Sequence, residues 1–161
     1  MMTTKELTIR YTEYESVSEL TPEDRELAAQ AIQAREGSYS PYSRFSVGAA
    51  LRLADGTVVQ GANQENVAYP AGLCAERTAM FAASANHPGV PFDTLAIIAG
   101  RHGDTCAFPA SPCGSCRQVM AEFQKKSKRP LKVILIGTKR ILKFERVEDL
   151  LPFIFDSLDE P

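Results

Sequence analysis

Three cysteines and one glutamate carry the chemistry that this sequence offers. Cys74-Ala75-Glu76 is answered downstream by Pro112-Cys113-Gly114-Ser115-Cys116. A catalytic zinc takes three protein ligands and leaves its fourth position to water, whereas a structural zinc is closed by four. Cys74, Cys113 and Cys116 supply three. Glu76, two residues from one of them, is spaced to exchange protons with such a water without ligating the metal. A lone Cys-x-x-Cys fits a redox pair or half of a zinc finger equally well; its pairing with Cys-x-Glu makes the set specific. On its own, Glu76 is equally an acid in the first turn of a helix.

Two helices are needed to present these groups. Ala71-Gly72-Leu73 ahead of Cys74, and Arg77 to Ala83 after it, predict a helix opening at that ligand. A proline before the Cys-x-x-Cys, small Gly114 at the turn, and the run Ser115 to Ala121 predict a second, with Cys113 and Cys116 at its N-terminus, where the backbone dipole favours thiolate. Three thiolates weaken the acidity of a bound zinc. The helix N-termini and Arg77, through hydrogen bonds to sulfur, are the groups able to offset that; by pattern alone Arg77 is equally a solvated helix residue.

The remaining elements read in order. Leu7, Ile9 and Tyr11 alternate with polar residues, the period of a half-buried strand, and predict an added strand or arm within residues 1–20. Thr21-Pro22-Glu23-Asp24 starts a helix by its cap, its proline and its acids. Leu27, Ala28, Ala31, Ile32 and Arg35 continue it at helical spacing, and Gly37 stops it. Phe45 to Leu53, an Asp55-Gly56 turn and Thr57 to Gly61 form a hairpin. Thr94 to Ala99 and Leu131 to Ile136 are short apolar runs of the kind that become buried strands, and Ile141 to Phe144 follows as another. Helix, two strands, helix, strand, helix, strand, strand is an α/β arrangement, a mixed sheet with helices on both faces. Both cysteine segments then enter from one end of the sheet.

Composition narrows the function. At 161 residues the chain has room for one domain, and its formal net charge of −2 disfavours a polyanionic partner such as nucleic acid. No apolar run is long enough to span a bilayer, and the first residues lack a signal-peptide profile, so the expectation is a cytoplasmic protein with no membrane partner. In that compartment cysteines bind metal or do chemistry more often than they form disulfides.

Cys-x-Glu with Pro-Cys-x-x-Cys resembles the zinc-dependent cytidine deaminases, of the small homotetrameric type. Tyr39-Ser40-Pro41-Tyr42-Ser43-x-Phe45-x-Val47-Gly48-Ala49-Ala50 is similar to the opening of those enzymes, and Leu150-Leu151-Pro152-x-x-Phe155 to their ending, with Phe153 and Ile154 where small residues are usual. The likeness runs from about Thr21 to Asp159. It implies a three-layer α/β/α fold with a five-stranded mixed sheet, a catalytic domain over 21–161, and one zinc per subunit on Cys74, Cys113 and Cys116. It gives Glu76 the proton transfers, and it places Arg77 against the thiolates. Phe45 packs on the pyrimidine, although an aromatic at a strand start is by pattern a core residue. Asn63 and Glu65 match the Asn-x-Glu that holds the ribose hydroxyls, and an anionic Glu65 there favours a nucleoside over a nucleotide. The backbones of Ala75 and the segment around Ser111 hold the base edge, and Tyr69 and Phe155 match residues that act across subunit boundaries in a homotetramer.

The implied reaction is zinc-dependent hydrolytic deamination of cytidine and 2′-deoxycytidine to uridine and 2′-deoxyuridine plus ammonia, in pyrimidine salvage. A deaminase of another aminopyrimidine compound, such as blasticidin S, shares the zinc motif and is the alternative within enzymes. A different class is a non-enzymatic zinc module in which Cys106, in the loop Arg101 to Ser111, closes a four-cysteine site; Cys106 is otherwise a free thiol. That loop is longer and more irregular than is usual in the family. His87 and His102, in loops, are not needed as ligands beside three thiolates.

Overall fold

A computed structural model describes residues 1–158. The last three positions of the expected catalytic domain, 159–161, lie outside that range, as does the Asp159 end of the family likeness. The expected strands form as β2 (Phe45–Leu53), β3 (Val58–Ala62), β4 (Phe92–Arg101), β5 (Lys132–Ile136) and β6 (Ile141–Phe144). A sixth, β1 (Thr12–Tyr14), pairs antiparallel with β6, so the sheet has six strands rather than five, ordered β1-β6-β5-β4-β2-β3. The expected N-terminal strand is also displaced: Leu7, Ile9 and Tyr11 are exposed, because no strand pairs with that stretch, and only the residues after it pair with the β6 edge. Tyr11 lies with its ring 5.6 Å from that of Phe144.

Successive strand residues point to opposite faces, and the core divides accordingly. Ala49, Leu51, Leu95, Ile97, Val133 and Leu135 pack beneath α2 (Ala75–Asn86) and α3 (Gly114–Ser127). Ala50, Ala96, Ile98, Ile134 and Ile136 pack beneath α1 (Pro22–Ala34). The result is the three-layer α/β/α arrangement. Thr21 caps α1, its Oγ1 accepting from the Asp24 N–H at 3.3 Å. Leu27, Ala28 and Ala31 are buried, whereas Ile32, expected on the packing face, is 49% exposed; the stripe facing the sheet is too narrow to include it. The helix tightens into a 3-10 turn over Arg35–Gly37.

Strand direction decides where a site can form. β4 and β5 are the parallel pair, while β2 runs antiparallel to both β3 and β4. The start of β2 therefore lies beside the ends of β3 and β4: Phe45 pairs with Arg101 and Gly48 with Ala62. The chain leaves β3 toward Cys74 and leaves β4 toward Cys113. Both helix N-termini thus rise from the carboxyl ends of strands, the edge at which open α/β sheets bind ligands.

Candidate metal centre and the cavity beside it

Cys74 is the N-cap of α2 and Cys113 the N-cap of α3, and Cys116 lies in the first turn of α3. The two helices point their positive ends at one place. The three Sγ atoms lie within 4.8 Å of one another, and Cys74 Sγ is 3.9 Å from Cys113 Sγ. Tetrahedral ligation at a Zn–S distance of about 2.3 Å separates sulfurs by about 3.8 Å, so the donor set fits zinc. Cys106 is not in this cluster. It sits in the loop after β4, its N–H bonded to Ala99 O and its carbonyl to the Thr138 N–H. The reading in which it closes a four-cysteine site therefore fails.

Of the three sulfurs, the surroundings favour the thiolate at Cys74. A hydrogen bond from the Cys116 thiol, and then one from Arg77, lower the Cys74 thiol to about 5. Cys116 moves the opposite way, pushed up first by donating to Cys74 and then by burial. Arg77 Nη2 donates to Cys74 Sγ at 3.4 Å, and its Nε is buried without a hydrogen-bond partner among the described residues. The solvated-helix reading of Arg77 does not hold. Glu76 is 5% exposed on the first turn of α2; burial, then the negative charge on Cys74, raise its carboxyl above the usual range.

A cavity of about 610 Å³ opens beside these groups, lined by Cys74, Cys113, Glu76 and Arg77 on one side and by Phe45, Asn63 and Glu65 on another. Phe45 begins β2 half-buried, and Asn63 follows β3 at 9% exposure. Asn63 Oδ1 accepts from the Val47 N–H at 2.8 Å and from Ser38 Oγ at 2.6 Å, while Nδ2 donates to Phe45 O at 2.9 Å. Glu65 Oε2 accepts the N–H groups of Tyr42 and Ser43 at 2.9 and 3.2 Å, and Oε1 accepts from Ser43 Oγ. The Ser43 hydroxyl, followed by the two backbone donors, holds its carboxyl low despite opposing desolvation. Ser111 and Ala110 line the same cavity, as does Tyr69 at its rim, 80% exposed. Ala75 is fully buried with its side chain in the core, so only its backbone is available to a ligand. Phe155 lies away from the lining, 69% exposed, its carbonyl accepting from Gln118 Nε2 at 2.6 Å.

Three contributors were not identified from sequence. Tyr42 and Ser43 stand in the quoted Tyr-Ser-Pro-Tyr-Ser stretch, but nothing there signals that their backbone would grip Glu65. Arg117 reads as an ordinary helix residue; its Nε donates to Pro112 O at 2.9 Å and Nη1 to Leu150 O at 2.6 Å, tying the cysteine turn to the tail.

The family described as "Cytidine and deoxycytidylate deaminase zinc-binding region" matches residues 21–129. The chain belongs to that family. It is 46% identical over 134 residues to a cytidine deaminase of Sporosarcina psychrophila, covering 83% of this chain and 91% of that one. It is 47% identical over 135 residues to a cytidine deaminase of Mycobacterium tuberculosis, covering 84% and 91%. The crystal structure of cytidine deaminase from Burkholderia pseudomallei superposes with a TM-score of 0.70 at 42% identity, covering 84% of this chain and all of the other. The cluster on Cys74, Cys113 and Cys116 thus belongs to a zinc-binding deaminase domain.

Proposed function

We propose that the protein hydrolytically deaminates cytidine and 2′-deoxycytidine, releasing uridine or 2′-deoxyuridine and ammonia, in pyrimidine salvage. One observation carries this reading: a single cavity joins Cys74 and Cys113 of the thiol cluster, and Glu76, to Phe45, Asn63 and Glu65. The names of the relatives agree with it. No observation favours a blasticidin-type substrate.

Zinc held by the three cysteines would supply a water of lowered pKa as nucleophile near neutral pH. Glu76 moves the protons: it takes one from the attacking water, delivers it to N3 as C4 becomes tetrahedral, and later passes a proton to the amino group that leaves as ammonia. Its raised pKa suits a group that must both accept and donate. Phe45 packs against the ring, and the backbones of Ala75 and Ser111 meet the base edge. The sugar pair has spare hydrogen-bonding capacity. Asn63, with three hydrogen bonds made, retains one Nδ2 proton; Glu65, accepting three, retains one lone pair on Oε1. One donor and one acceptor suit two ribose hydroxyls.

Residues 21–161 form the catalytic unit in this reading, with 1–20 as an extension. The assembly is a homotetramer in which exposed Tyr69 and Phe155 meet neighbouring subunits. The protein acts in the cytoplasm on a small molecule; its four cysteines are free, and no helix among the described residues is long and apolar enough to cross a membrane.

The test is ultraviolet-monitored turnover by wild type and Glu76→Ala, with bound zinc quantified in both. Wild-type turnover of cytidine, with a variant that keeps zinc and loses activity, is the expected result. Zinc-loaded wild type inert on cytidine, or preferring dCMP or blasticidin S, overturns the proposal.

A further inference from the structure

The loop after β4 reaches back to the sugar side of the cavity. Arg35, at the end of α1, fastens it: Nη1 donates to Thr105 Oγ1 at 2.8 Å, and Nη2 donates to Arg101 O at 2.8 Å and to Asp104 O. Gly100 permits the close return, since a Cβ there would stand 2.3 Å from Asp104 O and 2.7 Å from Thr105 Cα. The loop delivers His102 to both ends of the Ser40–Arg44 turn. Its ring Nε2 is 3.0 Å from Ser40 Oγ, and its N–H donates to Arg44 O at 3.1 Å. Arg44 holds a left-handed conformation, φ 56°, which a non-glycine residue keeps only where neighbours enforce it. Between those two anchors lie Tyr42 and Ser43, the residues that grip Glu65.

The ring contact also leads to Asn63. Ser40 is 2% exposed, with Ser38 Oγ at 3.1 Å and Ser46 Oγ at 3.4 Å. The orientation of the Asn63 amide is set by the backbone, because Oδ1 receives the Val47 N–H and Nδ2 gives to Phe45 O. Ser38 Oγ donates to Asn63 Oδ1 at 2.6 Å and is also aimed to donate to Ser40 Oγ at 3.1 Å. Ser40 Oγ in turn meets His102 Nε2, as donor or acceptor according to the ring tautomer. Polar contacts therefore link His102 through Ser40 and Ser38 to Asn63.

We propose that His102 is a positioning residue for sugar recognition, holding the Ser40–Arg44 turn and the Ser40–Ser38–Asn63 chain so that Glu65 and Asn63 meet the nucleoside's hydroxyls. The inference rests on those two residues binding the sugar. His102→Ala removes the ring link and keeps the backbone one. The KM for cytidine should rise roughly 3- to 10-fold, the size of one net hydrogen bond. Turnover at saturation, bound zinc and the thermal midpoint stay at wild-type values. His102→Gln, whose amide N–H reaches toward Ser40, should recover most of the KM. An active wild type with unchanged KM in His102→Ala overturns the inference alone. So does a loss confined to kcat, or one that glutamine does not repair. A wild type that turns over no cytidine overturns the deaminase reading and this inference with it.

Discussion

A single methyl group at Gly61 tests whether the cysteine geometry depends on how closely α2 lies on the sheet. An alanine Cβ there would stand 2.5 Å from both Ala75 O and Ala79 N, and 3.0 Å from Ala79 Cα. Ala75 O and Ala79 N are acceptor and donor of one helical hydrogen bond, so the obstacle is backbone and has no rotamer to change. Carbon–oxygen contacts start at about 3.3 Å, so α2 must retreat by about 0.8 Å. Metal–ligand distances tolerate only about 0.2 Å. Cys74 rides on α2, whereas Cys113 and Cys116 ride on α3, so the retreat pulls one ligand from the other two. Over-packing of this kind costs about 1–3 kcal/mol, or roughly 2–12 °C in Tm for a chain of this size. Calorimetry, zinc content and cytidine turnover should all fall in Gly61→Ala. Gly114, within the Cys-x-x-Cys turn, is the contrast. A Cβ there meets nothing within 4 Å, so Gly114→Ala should keep its zinc, although the sequence suggests that a small residue is needed. Wild-type Tm and zinc content in Gly61→Ala would refute the reasoning.

Three further outcomes follow from the same contacts. Asp24, 3% exposed, accepts from Lys143 Nζ at 2.8 Å and Arg52 Nη2 at 3.1 Å; Asp24→Ala takes from Lys143 its nearest carboxylate while Arg52 keeps Asp93 at 3.1 Å, which should cost about 1–3 kcal/mol in urea unfolding. Burial alone would raise the Asp24 pKa, but Lys143 and then Arg52 outweigh it and hold the carboxyl below 3.8; its stabilisation is therefore complete above that value and lost as pH falls through the lower folded one. The acid limb of wild type should accordingly be steeper than that of Asp24→Asn below about pH 4, and parallel limbs would contradict this. Glu65→Ala should raise the KM for cytidine by about 10-fold or more while leaving zinc bound, since it removes the sugar acceptor and releases the Tyr42–Ser43 turn. Arg77→Gln should weaken zinc retention against a chelator, or lower kcat, by about 10–100-fold, because Cys74 Sγ loses its charged donor; a variant unchanged in both would show the contact to be idle.

The cysteine centre was legible because its parts are local: each ligand sits at a helix start, and capping, glycine and helical runs announce such starts over a few residues. The central strands were equally legible as apolar, β-branched runs between turns. Where a contact depends on distant partners, legibility fails. Leu7, Ile9 and Tyr11 show the strand period, but pairing requires a free edge within reach, and the chain meets β6 only at Thr12–Tyr14. Ile32 obeys helical spacing, yet which side of that arc touches the sheet depends on how α1 docks. Asn63 and Glu65 were found by motif resemblance. Their hydrogen bonds to Ser38, Tyr42 and Ser43 span more than 20 residues and leave no local signature.

Topology explains how the loop after β4 comes to lie beside the cavity. The sheet has two ends, and the β2–β3 turn at Asp55-Gly56 and the α2–β4 connection around Gly89 lie at the one away from the cysteines. Extra residues there would enter solvent. The segment after β4 leaves from the other end, where β2 starts, β3 finishes and both ligand-bearing helices begin. Residues at that point are accommodated among the groups that line the cavity. The segment folds back over Gly100, is held by Arg35 of the opposite helical layer, and comes to rest on Ser40. The α1 layer, which carries no cavity residue of its own, thereby gains a route to the sugar side of the site. If His102 positions the sugar pair as proposed, substrate affinity depends on a helix that the metal chemistry does not use.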